Sequence, residues 1–176
     1  MSSGSLYGGP VVDDALLLRP LERRDAEATR RIYNHAVLTS TATLDIEPRT
    51  PSEHARWVDE HLGVYACLVA EVHGEVVGFA SLSPFRPRAG YASTVEDSIY
   101  LDPSVHGQGI GTRLLVALLA TAKELGFHAC IAHIVADHHV SRTLHSRAGF
   151  ELVGIQREVA RKFSRWIDIA IMERLL

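Results

Sequence analysis

A chain of 176 residues with 47% hydrophobic and 22% charged side chains is composed like a single globular domain with a real core. Lys plus Arg number 18 against 21 Asp plus Glu, a net charge of −3, and this excludes the basic surface expected of a nucleic-acid binder. Apolar runs are too short for a membrane span, so no membrane partner is expected. The two cysteines, Cys67 and Cys130, sit in apolar runs and read as buried free thiols of a reducing, cytoplasmic compartment.

Residues 1–14 are small and polar enough to predict a flexible tail, leaving residues 15–176 as one domain. Leu16 to Arg19 predicts a first strand before Pro20, and Asp25 can cap a helix through about Leu38 with Ile32, Ala36 and Val37 on one face. The hydroxyl-rich stretch Thr39 to Leu44 lacks a helical stripe. Thr50-Pro51-Ser52-Glu53 is a capping box with proline at the first helical position, opening a helix that ends near Gly63. Ala66 to Val72 and Val76 to Leu82 are apolar runs joined by His73-Gly74-Glu75, a hairpin signal. A loop from Pro84 to Gly90 leads into the next strand.

From Thr94 the chain reads strand, glycine-rich loop and long helix. Val95, Ile99 and Leu101 alternate with Glu96, Ser98 and Tyr100, while Asp97 breaks the apolar side and predicts a bulge or a polar partner. Asp102-Pro103 stops the strand. Ile110, Leu114, Leu115, Leu118 and Leu119 then recur at helical spacing, so the segment His106-Gly107-Gln108-Gly109-Ile110-Gly111 opens a helix whose unpaired N–H groups and positive dipole end suit an anion. Gly126 ends that helix. Ala129 to Val135 predicts a buried strand, and Asp137 or His138 starts a helix with Val140, Leu144 and Ala148 inward. Phe150 to Ile155 and Trp166 to Leu175 predict final strands separated by a basic segment, Arg157 to Arg165. The order of elements gives an α/β fold with a mixed sheet. Its ten histidines include no HExxH or Cys/His cluster, so no metal is expected.

Which phosphate ligand the loop takes is narrowed by exclusion. GxGxxG fails because Thr112 stands where the third glycine is needed, and no Gly-Lys-Ser/Thr follows. The loop resembles the pyrophosphate loop, Gln/Arg-x-x-Gly-x-Gly/Ala, of the GNAT superfamily of acyl-CoA-dependent N-acyltransferases, with Gly109 and Gly111 matching and His106 in place of Gln or Arg. Four further segments resemble the phosphinothricin and methionine sulfoximine/sulfone acetyltransferase subgroup. They are Asn34-His35 with Thr39–Thr43 and Glu47-Pro48; Tyr91 with Thr94-Val95-Glu96 and Ser98-Ile99-Tyr100; Ser141, Leu144-His145 and Gly149-Phe150; and Lys162-Phe163 with Trp166 and Asp168. His138 stands where that pattern has Asn.

The resemblance implies a mixed, mostly antiparallel sheet flanked by helices, acetyl-CoA as co-substrate, a small-molecule amine acceptor and a homodimer. It implies Glu96 as general base for the acceptor ammonium and His145 as proton donor to the leaving thiolate. For acetyl-CoA it implies backbone from Ile99, Tyr100 and Leu101, the loop His106, Gly107, Gln108, Gly109, Ile110, Gly111 and Thr112, and His138 and Ser141 on the second helix. For the acceptor it implies Thr39, Thr41, Thr43, Arg86, Arg88 and Tyr91, the arginines because their forks suit phosphinate, sulfone or carboxylate oxygens. Acetylation of a peptide N-terminus or polyamine, and a non-catalytic CoA-binding module, are the competing readings.

Overall fold

The computed structural model describes residues 15–176; the expected N-terminal tail lies outside the described residues. Strands β1 (Leu16–Pro20), β2 (Cys67–Val72), β3 (Glu75–Pro84), β4 (Thr94–Leu101), β5 (Ala129–Val135), β6 (Glu151–Lys162) and β7 (Arg165–Leu175) form one sheet in the order β1-β2-β3-β4-β5-β7-β6. Every neighbouring pair is antiparallel except β4–β5. The helices are α1 (Ala26–Thr39), α2 (Pro51–Glu60), α3 (Ile110–Glu124) and α4 (His139–Arg147). No described helix is long and apolar enough to cross a membrane.

Two layers of helix cover the sheet. On one face Leu114, Leu115 and Leu118 of α3 pack on Ala80, Leu82, Val95, Cys130 and Ala132. On the other, Ile32, Tyr33 and Val37 of α1 and Val58 of α2 close over Val69 and Phe79. Helix α2 starts as its sequence dictates: the Thr50 side chain accepts from the Glu53 N–H at 3.3 Å, and Glu53 Oε2 accepts from the Thr50 N–H at 2.8 Å.

Three local expectations need correction. Asp25 gives α1 no side-chain cap; its carboxylate instead accepts from the Glu22 N–H and holds Arg19 Nη1 at 2.7 Å, a stronger charge-assisted bond. Val140 is 76% exposed, and His145 takes the buried face of α4 in its place. The basic segment 157–165 is not a connector: β6 runs on through Lys162 and turns at Phe163-Ser164, both with positive φ, straight into β7. Strand β6 is the sheet's edge and nearly all its side chains are exposed, so it carries no apolar alternation to read.

Candidate active site

The parallel pair β4–β5 is hydrogen-bonded only from Thr94↔Ala129 through Glu96↔Ile131, although β4 continues to Leu101 and β5 to Val135. Each strand stays paired to its other neighbour along that length. The sheet therefore forks beyond Glu96, and the edge of β4 facing the fork has no strand partner from there on. Asp102 N–H donates to the Val77 carbonyl at 2.8 Å, which fixes the alternation: Ser98 and Tyr100 turn their backbone to β3, and Ile99 and Leu101 turn theirs into the fork. Tyr100 is thus not brought to this edge. Its ring instead meets Tyr33 edge-on, with centroids 5.0 Å apart.

Glu96 stands at the last paired rung, and on the same face His133 stands two residues past Ile131 on β5. The two bridge the base of the fork with His133 Nδ1 3.0 Å from Glu96 Oε1, their side chains 28% and 33% exposed. The contact with Glu96 raises the His133 pKa above its ordinary value, against the opposing effect of burial. Phe85 stacks on His133 at 6.2 Å, Tyr91 meets Phe85 edge-on at 5.5 Å, and the Arg86 guanidinium lies 5.0 Å from the Phe85 ring. Of the expected acceptor residues, Arg86 and Tyr91 are therefore linked to Glu96 only through Phe85 and His133. Arg88 is exposed on the same loop. Thr39 spends its hydroxyl on the His35 carbonyl in the last turn of α1, Thr41 is half-buried, and Thr43 is buried, its hydroxyl 3.1 Å from Tyr33 OH. The Thr43 carbonyl accepts from buried Lys162 Nζ at 2.8 Å, which ties the β6–β7 hairpin to the hydroxyl-rich stretch Thr39 to Leu44.

His133 was not singled out by sequence. The signal was available, since it is the one strongly polar residue in the apolar run Ala129 to Val135.

At the other side of the fork, Gly107 and Gly109 both adopt positive φ (77° and 78°), a backbone that only glycine takes without strain. The first bond of α3 runs from Arg113 N–H to the Gly109 carbonyl, so the N–H groups of Ile110, Gly111 and Thr112 precede any intrahelical acceptor. Nothing lies within 4 Å of where a Cβ on Gly107 or Gly109 would stand, which leaves room for a phosphate against those amides. His106 Nε2 folds back to 3.4 Å from the Leu101 carbonyl, and Gln108 donates to the Ser104 carbonyl at 3.2 Å. His138 performs the capping expected of an Asn, its Nδ1 accepting from the Ser141 N–H at 3.1 Å at the start of α4. Among the described residues no group of three or more His, Cys, Asp or Glu is gathered to hold a metal.

Gly111 has a packing role. A Cβ there would stand 2.9 Å from Leu144 Cδ1 and 3.3 Å from Leu101 Cδ1, so glycine lets the start of α3 settle against both α4 and β4. Gly111→Val is expected to lift that first turn and weaken acetyl-CoA binding about tenfold, or ~1.4 kcal/mol. Isothermal calorimetry checks this, and an unchanged Kd would show that Leu144 yields instead.

Asp97 finds a polar partner and no bulge, since the β3–β4 register is unbroken at Leu82↔Asp97. Its Oδ2 lies 3.0 Å from His145 Nε2, with side chains only 1% and 2% exposed, and His145 Nδ1 donates to the Ser141 carbonyl at 2.7 Å. A carbonyl only accepts, so Nδ1 carries a proton; the carboxylate then favours a second proton at Nε2. Burial opposes the charge, but Asp97 and the Ser141 carbonyl together leave the His145 pKa raised. With both ring nitrogens held inside, His145 offers none to a leaving sulfur in this arrangement; it fixes α4 to the back of β4. Cys130 Sγ lies 3.7 Å from Asp97 Oδ1, and burial pushes its thiol pKa up, away from nucleophilic use.

The model of the acetyltransferase (GNAT) family matches residues 29–150. Phosphinothricin N-acetyltransferase of Streptomyces coelicolor is 37% identical over 163 residues, covering 90% of this chain and 95% of that protein. L-methionine sulfoximine/L-methionine sulfone acetyltransferase of Pseudomonas aeruginosa is 38% identical over 144 residues, covering 81% and 84%. The crystal structure of a phosphinothricin acetyltransferase from Sinorhizobium meliloti in complex with AcCoA superposes with a TM-score of 0.89 at 38% identity, covering 92% of this chain and 89% of that one.

Proposed function

This chain belongs to the GNAT family of acetyltransferases, and we propose that it acetylates the α-amine of a small amino-acid-like acceptor of the phosphinothricin, methionine sulfoximine or methionine sulfone type. The observation that carries the proposal is the placement of a partly exposed carboxylate, Glu96, at the last paired rung of the β4–β5 ladder, paired there with His133.

Bound acetyl-CoA supplies an activated acetyl carbonyl and a thiol leaving group. The Ile110, Gly111 and Thr112 amides, at the positive end of α3, hold its pyrophosphate, and the fork-facing backbone of Ile99 and Leu101 lines the path of its arm. Arg86 meets the acceptor's anionic end. Glu96 draws the proton from the acceptor ammonium, directly or through a relay, so that a neutral amine faces the carbonyl. Transfer is direct, since neither buried cysteine has a thiol suited to attack.

The test is saturable release of CoA thiol from acetyl-CoA across a panel of phosphinothricin, methionine sulfoximine, methionine sulfone, a polyamine and a peptide. Release with one of the first three is expected; release confined to the polyamine or the peptide would overturn the acceptor class. Arg86→Ala should raise KM for the acceptor about 10–100-fold, the worth of a charge-assisted bond, with kcat little changed. A cytoplasmic homodimer is part of the same reading. Free buried cysteines support the first half, and exposed Val153, Ile155, Val159, Phe163 and Trp166 on the β6–β7 hairpin support the second.

A further inference from the structure

The Glu96–His133 pair has the construction of an oriented base, and we propose that His133 Nε2 is the atom that takes the acceptor's proton, with Glu96 behind it as the carboxylate that aims the ring. This rests on the acetyltransferase reading above and names the relay within it. The argument begins with which nitrogen is occupied. Nδ1 makes the 3.0 Å ion-pair contact with Glu96, whereas Nε2, on the far side of the ring, makes neither an ion pair nor a hydrogen bond among the described residues. Phe85 flanks the imidazole nearly parallel to it (14° between planes, centroids 6.2 Å apart). His133 also lies past the last rung of the β4–β5 ladder, where the strands separate, so its ring stands over the fork on the face opposite α3.

A carboxylate at Nδ1 keeps the proton there and leaves the Nε2 lone pair for outside work. The charged groups that bear on His133 are Glu96 and Asp97 from β4, which favour the imidazolium, and Arg86 from the loop after β3, which disfavours it; the β7 neighbour in register is Ile171. The imidazole is consequently a stronger base than an isolated one, and closer to the α-ammonium it must deprotonate. In the step itself the acceptor ammonium gives one proton to Nε2. The freed lone pair forms the C–N bond as the thioester C–S bond breaks, the nitrogen's second proton ends on the departing sulfur, and the imidazolium returns its proton to water.

The decisive variant is His133→Asn, whose amide nitrogen can still meet Glu96 in place of Nδ1 but which has nothing at Nε2. Once the wild-type protein has passed the acceptor panel, His133→Asn should lose about 10²–10⁴-fold in kcat with KM for acetyl-CoA unchanged. His133→Gln serves as the second variant if Asn folds poorly. The wild-type kcat/KM profile should fall toward acid through a midpoint above the ordinary histidine value of about 6.5. In ligand-free protein, NMR titration of the His133 ring should give that same midpoint, and Glu96→Gln should move it down. Activity of His133→Asn within threefold of wild type with the acid limb intact would overturn the proposal, as would an NMR midpoint that Glu96→Gln leaves in place. Silence of the wild-type protein across the panel would instead strike the acetyltransferase reading itself.

Discussion

Glu96→Gln is expected to lower kcat by about 10²–10⁴-fold while acetyl-CoA still binds with wild-type affinity. The two halves of that expectation have separate structural grounds. The amides of Ile110, Gly111 and Thr112 lie on the α3 side and the backbone edge of Ile99 and Leu101 lies in the fork itself, whereas the Glu96 side chain points to the face opposite α3. Gln keeps the shape of Glu but removes the charge that favours a proton, so what is lost is proton transfer and not the binding surface. The acceptor's α-amine is an ammonium near neutral pH and must lose that proton before it can attack. Steady-state kinetics beside calorimetric titration of acetyl-CoA separate the halves. Turnover within a few-fold of wild type would remove Glu96 from the chemistry, and joint loss of turnover and binding would mean that the carboxylate organises the fork.

Asp97→Ala is expected to cost about 3–5 kcal/mol of folding stability, the usual loss when one partner of a buried ion pair is removed. His145 would remain inside with its Nδ1 proton held by the Ser141 carbonyl and no anion at Nε2. The pH dependence has a definite sign. In the wild-type fold the His145 pKa is raised, so the pair's contribution is fully present below the unfolded value of about 6.5 and fades as pH rises through the higher folded value. In the variant a buried, unpaired imidazole resists protonation, so acid destabilises it. The gap between wild type and variant should therefore widen from pH 8.5 to pH 6. Thermal unfolding should show a drop in Tm of roughly 10 °C at pH 6 and a smaller one at pH 8.5. A gap under 2 °C, or one that widens with alkali, would show that this pair does not hold α4 to β4.

The sequence by itself determined the features that are local in the chain. Thr50-Pro51-Ser52-Glu53 builds its cap from residues within one turn, and Gly107 and Gly109 specify the positive φ that opens α3. The apolar alternation of β4 follows from one strand's own pleat, and Asp97 announced a polar partner by interrupting it. The family was legible for the same reason, because its motifs are short runs with fixed spacing.

Tertiary structure decided whatever depends on residues far apart in the chain. The end of the β4–β5 ladder at Glu96 is a relation between two strands, and neither strand's pattern records where they part. That parting brings Glu96 to His133, 37 positions away by subtraction of their numbers, and the fork then supplies the chemistry that either residue alone lacks. Helical periodicity placed Val140 inward on α4, but the buried anion of Asp97 was worth more than an apolar contact and drew His145 in. The continuation of β6 through residues 157–162 was invisible for the complementary reason. An edge strand with both faces exposed buries too little to impose a pattern, and its hydrogen bonds to β7, which any side chain permits, hold it in the sheet.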